Sequence, residues 1–202
     1  MSPVQGTPTP AEPARRWPVP PQDGYTVDDL LTLPGLPPHT ELIDGSLVFA
    51  SPQRVFHSLA VDLLVNGLRR TTPPELRAVR QMTVVIDKHN GPEPDVSVVR
   101  AGAARNRNQT SFPVRDVLLA VEVVSPDSVA RDHDTKPHKY AAAGIPYFWL
   151  VEMAGFDHAP IVHAFELSQE TQTYTPAGTY RDTLKLIAPF DIDIDLTEID
   201  NL

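Results

Sequence analysis

Glu122 is an acidic residue inside a continuous apolar run. Residues 117–124 show no polar alternation apart from this glutamate, which is typical of a central β-strand covered on both faces. An ionised carboxylate in such a strand costs free energy unless it is paired, hydrogen-bonded or bound to a metal. The alternative is a structural salt bridge or an edge position that faces outward. If the strand is buried, Glu122 therefore needs a partner.

Asp95 is a second acid, placed where the next strand begins. It follows Pro94 and precedes the valine-rich residues 96–100, so a simple turn cap is the alternative. If the strands of Asp95 and Glu122 are neighbours, their backbones lie ~4.8 Å apart and the two carboxylates converge. Converging carboxylates repel each other unless a cation lies between them. Oxygen ligands of this kind suit Mg²⁺ or Mn²⁺.

Lys136 stands directly before Pro137, and this position suggests a role for its charge. Proline is tolerated only in the first turn of a helix, so Lys136 is predicted at the start of a helix over residues 134–143. The helix dipole disfavours a cation there, which favours a task other than capping. Lys136 could orient an attacking water or neutralise developing phosphate charge. Lys139, one turn along, is the local competitor.

The elements that must position these residues follow from hydrophobic spacing and turn signals. Asp44-Gly45 divides residues 41–50 into a predicted type I′ β-hairpin. The order of elements predicts an α+β (mixed α/β) protein with one central mixed sheet. The other predicted elements are a helix at 57–70, strands at 78–87, 96–100 and 147–151, a loop at 103–111, and a C-terminal β-meander between 162 and 196.

Composition limits the classes of protein that are possible. The chain has 202 residues, no cysteine and a net charge of −9; this excludes thiolate chemistry and disfavours nucleic-acid binding by charge alone. A bound metal could supply local positive charge that the total hides. Prolines crowd the first residues, so 1–24 are predicted as a disordered tail and 25–202 as one domain. Neither a signal peptide nor a membrane span is evident, which predicts a cytoplasmic protein without membrane contact.

Several short motifs together resemble one family. The matching segments are Glu41 to Gly45, Ser51-Pro52 with His57, Pro94-Asp95-Val96, Glu122 to Pro126, Asp132 with Lys136 and Tyr140, and Ala143 to Val151. In this order they resemble the Uma-two family of restriction endonuclease-like proteins, within the PD-(D/E)XK nuclease superfamily. The resemblance extends over roughly residues 25 to 200.

The resemblance implies a restriction-endonuclease-like core, a mixed sheet flanked by helices, and Mg²⁺-dependent hydrolysis of phosphodiester bonds. Carried over by position, Asp95 and Glu122 would be metal ligands and Lys136 the catalytic lysine. The carbonyl of Val123 could add a ligand, and Glu41 could hold a second metal or a water. The accessory positions are His57, which matches a recurrent histidine, Tyr140, and Lys139 as the alternative lysine.

The superfamily pattern has a lysine two residues after the acid, where this chain has Val124. The family pattern places the lysine in the following helix, and Lys136 fits it. The leading hypothesis is a Mg²⁺-dependent nuclease, with Mn²⁺ as a possible substitute, that acts on DNA rather than RNA and pairs as a homodimer. The alternatives are a non-catalytic binding or regulatory module on the same fold, and a hydrolase for another phosphate substrate.

Overall fold

The computed structural model describes residues 19–155 and 158–202, so most of the predicted N-terminal tail lies outside the described residues. A six-stranded sheet dominates these residues, with the strand order β10-β9-β8-β7-β5-β3. Its strands β7 and β8 are parallel, and its other neighbours are antiparallel. The predicted mixed sheet and α+β class are therefore confirmed. The six strands are β3 (Leu76–Arg80), β5 (Val96–Arg100), β7 (Val117–Val123), β8 (Tyr147–Met153), β9 (Pro160–Leu167) and β10 (Tyr174–Tyr180).

Helix α2 (Val55–Thr71) covers one face of this sheet and supplies much of the core. Its apolar residues recur at helical spacing, so one stripe, which includes Ala60, Leu64 and Leu68, is buried. The other α-helices are α1 (Val27–Thr32), which begins with a Thr26–Asp29 capping box, and α3 (Lys136–Ala142). Short 3₁₀ turns lie at Ala101–Ala103, Val114–Asp116 and Leu196–Asn201. Among the described residues, no helix has the length and apolar character needed to cross a membrane.

The predicted N-terminal hairpin is confirmed as β1 (Glu41–Ile43) and β2 (Ser46–Val48). Its turn residues, Asp44 and Gly45, have φ angles of 48° and 72°. Positive φ at both positions is what a type I′ turn requires.

The prediction of one strand over residues 78–87 is wrong. The chain turns at Gln81, which has a φ of 52°, and divides the segment into β3 and a separate β4 (Thr83–Val85). Strand β4 pairs in parallel with β6 (Ser111–Pro113), which lies at the end of the predicted loop. The turn also connects this segment to Asp95, because the Gln81 N–H donates to the carbonyl of Asp95 at 3.1 Å.

The predicted C-terminal β-structure divides between two sheets. Strands β9 and β10 extend the central sheet, whereas β11 (Thr183–Leu186) and β12 (Ile192–Asp195) form their own antiparallel hairpin. The alternation in β12 places Ile192 and Ile194 inward, and both join the core beside α2. Asp193 and Asp195, which alternate with these isoleucines, face outward, as expected for a half-buried strand.

The approach of β12 to α2 depends on Gly67. A Cβ atom at this position would lie 2.7 Å from the Cδ1 and Cγ1 atoms of buried Ile194. We expect Gly67→Ala to lower the free energy of unfolding by about 1–3 kcal/mol, because an extra carbon in a packed core forces its neighbours to shift. Urea denaturation measures this, with Asn66→Ala at the neighbouring exposed position as the control. If adding Ile194→Val to Gly67→Ala restores none of the lost free energy of unfolding, this explanation is contradicted.

Candidate active site

Asp95 and Glu122 lie side by side at one end of the central sheet. Strands β5 and β7 are antiparallel neighbours, with Val96 opposite Val121. Asp95, the residue before Val96, therefore comes beside Glu122, the residue after Val121. The condition under which the two carboxylates would converge, that their strands are neighbours, is therefore met. Glu122 is 1% exposed, because β7 is covered on both faces.

One backbone donor and one imidazole contact the Asp95 carboxylate. Its Oδ2 accepts the N–H of Val123 at 2.7 Å, and its Oδ1 lies 3.0 Å from Nε2 of His57. His57 is 5% exposed in the first turns of α2. Strand β7 and helix α2 thus each contact one oxygen of Asp95.

Lys136 is buried among three carboxylates. Its Nζ lies 2.9 Å from Oε2 of Glu122, 2.9 Å from Oε1 of Glu41 and 3.5 Å from Oδ1 of Asp132. The lysine is 5% exposed. Burial alone would lower the pKa of Lys136, but the surrounding carboxylates raise this pKa well above its ordinary value. Lys136 is therefore a permanently charged centre of the cluster.

Tyr140 completes the partners of Glu122. Its hydroxyl donates to Oε1 of Glu122 at 2.5 Å, and the ring is buried one helical turn after Lys136. Burial and the adjacent carboxylate raise the pKa of Tyr140 well above its ordinary value, so the hydroxyl keeps its proton. Both oxygens of Glu122 are thus hydrogen-bonded from α3.

The prediction that Lys136 begins a helix is confirmed, because Lys136 is the first residue of α3, but the helix-dipole argument attached to it is wrong. A π-helical turn, Arg131–Thr135, runs directly into α3, and the residue before each segment already has helical dihedral angles. Because this turn directly precedes α3, the first residues of α3 do not form a free helix N-terminus. The helix-dipole argument therefore does not apply to Lys136. Pro137, which cannot donate a backbone hydrogen bond, is accommodated where the hydrogen-bonding pattern changes. The distinguishing feature of Lys136 is therefore its burial among three carboxylates.

Glu41 reaches the cluster from the N-terminal hairpin. Besides Lys136, its Oε1 accepts the backbone N–H of Glu93 at 2.7 Å. Glu93 in turn has its Oε1 2.6 Å from Nδ1 of His39. Burial raises the pKa of Glu93, although His39 partly offsets this effect. The hairpin and the segment before β5 are therefore joined at the cluster.

Asp132 belongs to the cluster, but the sequence reasoning named it only as part of a motif. It is 2% exposed, and its Oδ1 has no hydrogen-bond partner although Lys136 lies nearby. Burial raises the pKa of Asp132 despite that lysine. Its spacing of four residues before Lys136 is the signal that could have found it, since such pairs share a helix face.

Lys139 lies away from the cluster. Its Nζ contacts Oδ1 of Asp44 in the hairpin turn at 2.5 Å, and the side chain is 19% exposed. The structure thus brings Lys136, and not Lys139, to the acids.

A cavity of about 310 Å³ opens above these groups. Asp95, Glu122, Val123 and Lys136 all line it, so the cavity borders the predicted residues. The carbonyl of Val123 as a ligand stays a prediction, as do the catalytic and metal-binding roles of the other residues.

The buried cluster carries excess negative charge. Three carboxylates, those of Glu41, Glu122 and Asp132, contact one ammonium group, and a fourth, that of Asp95, lines the same cavity. Burial, together with the like charges, raises the pKa of Glu122 well above its ordinary value even though Lys136 opposes this. Excess negative charge on hard oxygen donors fits a divalent cation such as Mg²⁺ in chemistry and sign. In the arrangement described for residues 19–155 and 158–202, no three His, Asp or Glu side chains form a metal-binding group.

Comparison with known proteins identifies a family and a solved structure of similar fold. A family model, Uma2, described as "Putative restriction endonuclease", matches residues 27–197. A crystal structure of a "putative nuclease belonging to DUF820" from Anabaena variabilis ATCC 29413 superposes with a TM-score of 0.65 at 19% identity. The alignment covers 87% of this chain and 97% of that one. No curated protein matches the chain.

Proposed function

The chain belongs to the Uma2 family, and from this premise we propose that it is a Mg²⁺-dependent endonuclease that hydrolyses phosphodiester bonds, preferring DNA to RNA. The family match supports a nuclease. The restriction endonuclease description favours DNA, because restriction is an activity on DNA. A homodimer and a cytoplasmic location stay predictions.

One observation carries the proposal: Asp95, Glu122 and Lys136 meet in one cavity. They come from two neighbouring strands and a helix, and they supply two acidic oxygens and a fixed positive charge. Such a combination is suited to phosphoryl chemistry, in which the enzyme mainly positions groups and stabilises charge.

The metal would be held by Asp95 and Glu122, with the carbonyl of Val123 as a further ligand. When bound, it would polarise the phosphate and lower the pKa of the attacking water. The chain's own residues have separate tasks. Lys136 offers a permanent charge to the developing negative oxygen, and His57 holds Asp95 in the orientation set by the Val123 N–H.

A nicking assay tests the proposal. We expect purified protein to nick supercoiled plasmid in Mg²⁺ or Mn²⁺, and EDTA to stop the reaction. Asp95→Asn should lower the rate by at least about 10²-fold, because an isosteric amide keeps the packing and loses the charge. Lys139→Met, three residues from Lys136 and paired only with Asp44, serves as the matched control. Equal nicking by the wild type and Asp95→Asn would refute the assignment, and faster cleavage of an RNA substrate would refute the DNA preference.

A specific observation also favours the second candidate, a non-catalytic module. Each carboxylate oxygen of Asp95 and Glu122 already has a donor or cation within hydrogen-bond distance. Calorimetric titration with Mg²⁺ separates the two candidates. Binding that Glu122→Gln weakens supports the nuclease, whereas no heat of binding in either protein supports the module.

A further inference from the structure

Arg131 is an unpaired cation in the wall of an acidic cavity. It is the first residue of the π-helical turn and lines the cavity described above. Its Nε is buried and has no hydrogen-bond partner. Among the described residues, no ion pair of this side chain is present. A buried donor without a partner costs free energy, so its position needs a reason.

The other strong cations that line the cavity already have carboxylate partners. Lys136 contacts three carboxylates, and Arg80 pairs with Asp62 at the cavity mouth. Arg131 has no such partner, although the cavity walls include seven carboxylates. Its charge is thus the one left available to an anion within the described cavity.

The side chain is directed by its place on the turn. Its neighbour Asp132 reaches Lys136 inside the cluster, while Arg131 lines the same cavity beside Ser128. An anion that contacts Arg131 would therefore lie in the cavity that the Asp95 and Glu122 carboxylates also line. A guanidinium presents a planar fork of donors that matches two phosphate oxygens.

We propose that Arg131 binds a phosphate of the nucleic-acid backbone and so positions the strand beside the carboxylate cluster. This inference rests on the proposed nuclease function and adds a substrate contact to it. The contact recognises the phosphate, so it carries no base sequence information.

The test compares Arg131→Gln, Arg131→Lys and Arg70→Gln with the wild type. Arg70 pairs with Glu198 on the surface, about 20 Å along α2 from the cavity end of that helix. Binding of a labelled duplex is followed by fluorescence anisotropy in Ca²⁺ from 50 to 200 mM salt, and cleavage is followed in Mg²⁺. Thermal melts check that each variant is folded.

For Arg131→Gln we expect KM to rise about tenfold with a smaller change in kcat. The slope of log Kobs against log salt should become shallower by about 0.9, which corresponds to one lost phosphate contact. Arg131→Lys keeps the charge, so it should keep the wild-type slope and show an intermediate KM. Arg70→Gln should match the wild type.

The outcomes separate this inference from the proposed function. If the wild type binds DNA and Arg131→Gln shows the wild-type slope and KM, the inference alone is overturned. If the wild type neither binds nor cleaves nucleic acid, both proposals are overturned. If Arg131→Gln does not fold, Arg131→Lys decides: a raised KM with an unchanged slope supports the contact, and a wild-type KM overturns it.

Discussion

Lys136→Met is expected to destabilise the protein by about 3–5 kcal/mol, the usual cost of removing one partner from a buried ion pair. The variant would leave Glu41, Glu122 and Asp132 close together without their shared ammonium group. Methionine fills much of the lysine volume, so the loss is electrostatic rather than a packing defect. Cleavage should disappear as well, since the fixed positive charge is gone.

Urea denaturation of the variant measures this loss, and Lys139→Met provides the comparison. Lys139 makes a partly exposed pair with Asp44, so its replacement should cost less than about 1 kcal/mol. Adding Glu122→Gln to Lys136→Met should recover part of the stability, because one unpaired charge is removed. A Lys136→Met protein as stable as the wild type would show that the ammonium group does not hold the acids.

Glu122→Gln is expected to separate activity from stability. The amide can accept from Lys136 through its oxygen and donate to the Tyr140 hydroxyl through its nitrogen, so the two contacts keep their geometry. The substitution also removes a buried carboxylate, and burial of this group raises the pKa of Glu122. We expect a change in unfolding free energy within about 1 kcal/mol.

Cleavage by Glu122→Gln should fall by about 10³-fold, because a Lewis acid supplies several kcal/mol of transition-state stabilisation. Single-turnover rates in Mg²⁺ measure this, alongside Tyr140→Phe, which removes a donor but keeps the carboxylate. A rate for Glu122→Gln near that of the wild type would show that this carboxylate is not a metal ligand.

Much of the site was accessible from sequence because the signals were local. A glutamate within an apolar run predicted a buried acid in the central strand, and Asp95 before a valine-rich segment predicted a second acid at the start of a strand. The register of β5 and β7 confirms both placements. The Asp-Gly hairpin was equally predictable, since its turn depends on two residues alone.

Other features depend on contacts that no local pattern contains. The rule that proline is tolerated in the first turn of a helix does not predict the π-helical turn. Because of this turn, the helix dipole does not explain the position of Lys136. The break at Gln81 separates β3 from β4 through an unusual backbone angle. Glu41 meets Lys136 only because the hairpin approaches α3; the family resemblance had suggested a metal or water role for Glu41, and not this ion pair.

The two links between the hairpin and α3 have a kinetic consequence. Glu41 to Lys136 and Asp44 to Lys139 both join distant parts of the chain, the latter across 95 positions, whereas Lys136 and Glu122 are 14 apart. Closing a long loop costs chain entropy before its contacts repay it, so such contacts tend to form late in folding. The hairpin would then dock after the strand–helix pair, and a nascent chain would acquire its complete acid cluster only at the end of folding.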